Sequence, residues 1–200
     1  MPYFSLFLFL VIFIQSVKKI EQKYYIICQY LQINKNMEKN YELLMQNKFD
    51  EFDINNINEV DEKGNNLLIK LVCNDLSKNC IKRVNFLIEN DIDINHRNGS
   101  GKNALIKLIT CNVTKTCKQI LKKLVSCGIN INTCDRKGND ALFYVMTRGC
   151  YNDNDAMEIL LENGATINKE ACDCGQERQC PAESILISYM RYIKYKSKNI

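Results

Sequence analysis

The sequence predicts an all-α solenoid of stacked helix-turn-helix units, and three observations predict it. First, "DEKGNNLLIKL" from Asp61 recurs in altered form as "NGSGKNALIKL" from Asn98 and as "DRKGNDALFYV" from Asp135. Second, a closing segment recurs in step with it: "LIENDIDIN" from Leu87, "LVSCGININ" from Leu124 and "LLENGATIN" from Leu160. Third, Gly64, Gly101 and Gly138 stand 37 residues apart, and internal periods of about 20–50 residues mark solenoids.

The N-terminal segment, residues 1–36, opens with "PYFSLFLFLVIFI", apolar from Pro2 to Ile14 and followed by Lys18 and Lys19. This run is shorter than the roughly 20 residues a helix needs to cross a bilayer. Its length suits the apolar core of a signal peptide, yet no basic residue precedes it and "IQSV" is a poor cleavage site. Three readings stand: a signal or membrane anchor, a buried apolar helix, or upstream sequence wrongly joined to a protein that begins at Met37. Residues 37–57 read as a capping half-unit, one helix with Tyr41, Leu44 and Met45 on its apolar face.

Three full units follow, at 58–94, 95–131 and 132–167. Their first helices place Leu67, Leu68, Leu71 and Val72 on one face, then Ala104, Leu105, Leu108 and Ile109, then Ala141, Leu142, Val145 and Met146. Asn66, Asn103 and Asp140 sit just before these helices, where such side chains accept from orphan amides. The second helices are "IKRVNFLIEN", "CKQILKKLVSC" and "AMEILLEN". They end near Asn90, Gly128 and Gly164, and the two glycines allow a left-handed stop; Asp91 replaces that glycine in the first unit. Two helices of about three turns cannot bury their apolar faces alone, so each unit depends on its neighbours. Residues 168–200 form a divergent C-terminal unit or cap. There "CPAESILISYM" restores the spacing with Pro181, Ala182, Ile185 and Leu186, and Pro181 suits a first helical position.

These residues resemble the ankyrin repeat, whose unit runs D-x-x-G-x-T-P-L-H-x-A, then two antiparallel helices, then G-A-D-V-N. The resemblance covers about Asn58 to Ile167 well and the flanks, to Met37 and Tyr195, loosely. The Thr-Pro-Leu-His signature is replaced by Asn-Leu-Leu-Ile, Asn-Ala-Leu-Ile and Asp-Ala-Leu-Phe. The unit is also longer than the usual length of about 33. Its four extra residues fall between the helices, in "CNDLSKNC", "CNVTKTC" and "TRGCYNDND".

The resemblance implies an ankyrin-type solenoid of about three full repeats plus two caps, acting as a scaffold or adaptor that binds a partner protein on its concave face. Carried over position by position, the contact residues are the turn tips Glu62, Lys63 and Asn65, then Gly99, Ser100 and Lys102, then Arg136, Lys137 and Asn139. The helix edges add Asn74, Cys111, Thr147 and Arg148. As a set they lean basic, with Lys63, Lys102, Arg136, Lys137 and Arg148 against Glu62. That balance implies a partner with an acidic surface, bound by a monomer.

An apolar fraction of 46% and a charged fraction of 25% are those of an ordinary globular chain. A net charge of +4, with no basic block, argues against nucleic acid as a partner. The 25 asparagines do not cluster and read as coding bias. Eleven cysteines, an odd number spread through helices and turns, fit a reducing compartment, hence the cytoplasm. The alternative is the secretory pathway or a membrane, reached through residues 3–14. "CDCGQERQC" holds Cys172, Cys174 and Cys180 with no histidine nearby, a poor match to zinc. It reads as an enlarged turn, a metal- or redox-responsive turn being the alternative. His96, the only histidine, is expected in an exposed turn with no nucleophile beside it. "NGSGKN" lacks the P-loop spacing. No catalytic residue, cofactor or metal is expected, so the chain reads as non-enzymatic.

Overall fold

The computed structural model describes residues 2–75, 77–111, 115–148 and 154–166, together with Ile193. Helix α1 runs Pro2–Met45, and two short 3-10 turns follow at Phe49–Glu51 and Ile54–Asn56. Three helix pairs come next: α2 Leu67–Asn74 with α3 Cys80–Glu89, α4 Ala104–Cys111 with α5 Lys115–Ser126, and α6 Ala141–Arg148 with α7 Asn154–Glu162. The described residues contain no strand. The helices form two rows. In one, α2 packs on α4 and α4 on α6; in the other, α3 packs on α5 and α5 on α7. The repeats and the all-α solenoid read from the sequence are present.

The repeated apolar face makes the core. Leu67, Leu68, Leu71 and Val72, their counterparts on α4 and those on α6 are all buried. The second row adds Val84 and Leu87, then Ile120, Leu121 and Leu124, then Met157 and Leu160. All of these belong to one cluster that runs from Met37 to Leu160 without a gap between units. Burying one such side chain is worth about 1.5–3 kcal/mol.

The start of each first helix and the end of each second helix have a local reason. The Oδ1 atoms of Asn66, Asn103 and Asp140 accept from the amides of Ile69 (3.0 Å), Ile106 (3.0 Å) and Phe143 (2.7 Å). At the other end of each unit Asp91, Gly128 and Gly164 take positive φ, at 60°, 81° and 90°. The next amides then reach back into the last turn, Ile92 to Leu87, Ile129 to Leu124 and Ala165 to Leu160. This is the Schellman closure of a helix. Asp91 bears the cost of a left-handed conformation that glycine avoids.

Asparagines also tie the opening of each unit to its own closing turn. Asn58 donates to the Asp91 carbonyl (3.2 Å) and accepts from the Asp93 amide (2.7 Å). Asn95 spans to Gly128 and Asn130, and Asn132 to Gly164 and Thr166, in the same way. The capping asparagines add a second row, Asn66 to the Asp93 carbonyl and Asn103 to the Asn130 carbonyl. A short side chain that both donates and accepts is what these positions use.

The last turns of α1 close the first unit. Met37, Leu43 and Leu44 are buried, and Tyr41 and Met45 pack against the core. Earlier in α1, residues 15–32 are exposed, with Ile20, Tyr24, Tyr25 and Ile26 more than half exposed. No helix break marks the boundary expected at 36/37. Among the described residues no helix is long and apolar enough to cross a membrane. The side chains of residues 2–14 lie outside the described residues, as do the cap at 168–200 and its Cys172, Cys174 and Cys180.

A buried ion pair fastens α1 to the first unit. Arg83, 4% exposed, pairs with Asp75 and donates to the Met45 carbonyl (2.7 Å) and to Asn47 Oδ1 (3.0 Å). Burial works to raise the Asp75 carboxyl, but hydrogen bonds from Ser77 and the Arg83 guanidinium outweigh it and hold its pKa below the ordinary 3.8. Arg83→Ala leaves that carboxylate buried without its partner and is expected to cost about 3–5 kcal/mol by urea unfolding at neutral pH. Because the folded pKa is depressed, the Asp75 contribution is complete above the unfolded value and is lost as pH falls through the folded one. The gap between wild type and variant should therefore narrow in acid. A gap that is constant with pH would contradict the ion pair.

Candidate functional site

The turns between units are built alike. In the first, Asp61 Oδ1 accepts from the amides of Lys63 and Asn65; in the second, Asn98 Oδ1 accepts from Ser100 and Lys102; in the third, Asp135 Oδ1 accepts from Lys137 and Asn139. Asn and Asp suit such turns because the side chain replaces a backbone acceptor. Adjacent tips are then joined backbone to backbone. Gly99 N donates to the Lys63 carbonyl (2.9 Å), and Arg136 N donates to the Ser100 carbonyl (3.0 Å). Three tips become one continuous edge.

That edge needs glycine where the turns touch. Gly64 and Gly101 have φ of +72° and +78°. A Cβ on Gly64 would sit 2.9 Å from Gly99 N, and one on Gly101 would sit 3.0 Å from Arg136 N. Both the conformation and the space exclude a side chain.

Of the contact residues expected from the sequence, Glu62, Lys63, Gly99, Ser100, Arg136 and Lys137 are exposed along this edge. Asn74 and Cys111 are exposed at the ends of α2 and α4. Thr147 and Arg148 end α6, and their side chains lie outside the described residues. Three of the residues are engaged within the stack. Asn65 is half-buried, donating to Asp61 and accepting from Asn98 Nδ2 (2.8 Å). Lys102 lies 4.5 Å above the Tyr144 ring and 3.8 Å from the Asp135 carboxylate. Asn139 is only 5% exposed, because its amide and carbonyl close the Asp135 turn; its Oδ1 has no partner among the described residues.

His96 also departs from the expectation of an exposed turn. It is half-buried, and its Nε2 lies 2.7 Å from the Gly64 carbonyl, which makes it a tie between the first two units. Arg97 forms the next tie, donating to the carbonyls of Gly101 (3.1 Å) and Cys134 (2.6 Å).

Beside the edge, a groove of about 490 Å³ runs along α2, lined by Glu38, Lys63, Lys70, Cys73, Asn74 and Lys107 among others. Lys70 pairs with Glu38 and stands 4.4 Å over the Tyr41 ring. Lys70, Lys107 and Tyr144 occupy the same position on successive first helices, and sequence reasoning missed them. Their 37-residue spacing was the available signal. The charges in the groove are mixed, with Glu38, Asp61 and Glu62 facing Lys63, Lys70 and Lys107. A second groove, of about 470 Å³, lies between α5 and α7 and is lined by Lys118, Lys122, Asp155 and Glu158 among others. Among the described residues no group of three or more histidines, cysteines or carboxylates could hold a metal ion.

A family model described as ankyrin repeats (3 copies) matches residues 76–171. Among solved structures, an ankyrin repeat domain from Acinetobacter baumannii is similar at 26% identity and a TM-score of 0.49. The alignment covers 57% of this chain and 54% of that one, about half of its length. No curated protein matches the sequence.

The contact between tips predicts a difference between two glycines. Gly101→Ala should cost about 1–3 kcal/mol in thermal or urea unfolding. Gly128 has an equally positive φ, but no atom lies within 4 Å of where its Cβ would be, so Gly128→Ala should cost less. Equal losses would contradict the close approach of the second and third tips.

Proposed function

This chain carries ankyrin repeats across residues 76–171, and we propose that it is a non-enzymatic scaffold or adaptor that binds a partner protein along the tip edge and the neighbouring first-helix groove. One observation supports this above the rest: backbone hydrogen bonds hold Glu62, Lys63, Ser100, Arg136 and Lys137 outward from one rigid edge. Little backbone ordering entropy remains to be lost there on binding, which favours affinity. The exposed charged side chains of the third tip are basic, Arg136 and Lys137, so the partner we infer presents acidic groups to that end. The mixed groove beside α2 would meet both signs of charge. The chain acts as a monomer in this reading. A reducing, cytoplasmic setting belongs to this reading on the odd number of cysteines spread along the chain; among the described residues Cys134 is in a disulfide.

A second reading draws on α1. Its exposed Ile20, Tyr24, Tyr25 and Ile26, beside Lys18, Lys19 and Lys23, favour attachment of the same module to a membrane surface. Co-sedimentation of the full chain with anionic vesicles, lost in a chain starting at Met37, would favour it.

For the leading reading, reversing Arg136 and Lys137 to Glu should weaken the partner captured by the full chain roughly tenfold and flatten its salt dependence. Lys122→Glu, in the groove between α5 and α7, should leave binding unchanged. The opposite pattern, or binding indifferent to both, would overturn the assignment.

A further inference from the structure

The packing of α2 on α4 brings two thiols together. Cys73 Sγ and Cys111 Sγ are 2.7 Å apart, and both are reduced. A disulfide holds its sulfurs at about 2.05 Å, so closure needs a shift smaller than a bond length. Cys111 is exposed and Cys73 half-buried, beside the groove described above. The repeat does not impose this pair. Thr110 occupies the position equivalent to Cys73, and Asn74 the position equivalent to Cys111. The pair therefore joins two different positions of the unit diagonally across neighbouring helices.

The other thiols provide a contrast. Cys80 and Cys117, which are in register, are buried in the second row, and burial pushes the Cys80 thiol up to about 12. Such a group is inert to exchange. Cys28 is exposed on α1, far along the chain from the stack's other cysteines.

We propose that Cys73 and Cys111 form a reversible disulfide that fastens the first repeat to the second at the lip of the groove, the oxidant being a low-molecular-weight disulfide such as oxidised glutathione. The thiolate of Cys111, the sulfur a small molecule reaches first, attacks one sulfur of the oxidant. That sulfur stays on Cys111 as a mixed disulfide, and the other leaves as thiolate and takes up a proton. The thiolate of Cys73 then attacks the Cys111 sulfur and expels the second small thiol. Two protein thiols have lost two electrons and two protons, and one small disulfide has become two thiols. Burial and the neighbouring Cys111 sulfur raise the Cys73 thiol, while the Lys107 ammonium works the other way. The second step, which needs the Cys73 thiolate, is accordingly one that rising pH should speed.

The test uses the full chain in glutathione buffers of stepped oxidised-to-reduced ratio, followed by alkylation and peptide mass spectrometry. The expected result is a cross-linked peptide joining Cys73 to Cys111, lighter by two hydrogens, whose fraction follows the buffer ratio and reverses on reduction. Cys28 should instead retain a glutathione adduct. Cys73→Ser should convert Cys111 to a persistent adduct as well. Oxidation should raise the Tm of the wild type and leave both Cys73→Ser and Cys111→Ser unchanged. A wild-type Cys111 that stays alkylated, persists as the adduct or pairs with a cysteine other than Cys73 in the most oxidising buffer would overturn the proposal.

Discussion

Each helix pair in this chain carries an apolar face that only the next pair can cover. Ala104, Leu105, Leu108 and Ile109 of α4 are buried because α2 lies on one side and α6 on the other. No single pair encloses a core of its own; the buried cluster passes from Met37 to Leu160 through every unit described. Stability in such an array is a sum of weak units and strong interfaces between neighbours. The spacing of the tips follows from it. Once the apolar faces are in contact, the turns must fall one above another, and Gly99 and Arg136 find the carbonyls of Lys63 and Ser100.

Within each unit the opening segment and the closing turn bring backbone groups close together. Those groups need partners, since an unmade buried hydrogen bond costs about 1–3 kcal/mol. Asn58, Asn95 and Asn132 meet that need by bonding a carbonyl and an amide of their own unit's closing turn at once. Aspartate could accept but not donate there, and glutamine would carry an extra methylene to order. The same logic explains Asn66 and Asn103, which cap their own helices with one end of the amide and tie to the next closing turn with the other.

The repeat, the helix starts and the core face were legible in the sequence because each is a local pattern written three times. Leu67, Leu105 and Leu142 needed only their spacing to be assigned. Most of what was not legible involves contacts between residues far apart in sequence. His96 looks like a loop histidine until the Gly64 carbonyl is found 2.7 Å away. Asn139 sits at a tip by alignment, yet the Asp135 turn folds over it. Lys102 counts as a free cation until Tyr144 and Asp135 are placed beside it. Among the described residues the basic edge rests on Lys63, Arg136 and Lys137, with Lys107 added from a helix position the turn signature does not reach.

Interdependence of the units is the claim that everything else requires, and hydrogen exchange of individual amides in Leu105→Ala measures it most directly. Leu105 belongs to α4 alone, but its side chain is buried in the continuous core shared with the neighbouring pairs. The account predicts that protection falls in α4 and also in α2 and α6, whose own sequences are unchanged. Loss confined to α4 and α5, with α2 and α6 as protected as in the wild type, would mean that the units fold independently and would contradict the stack.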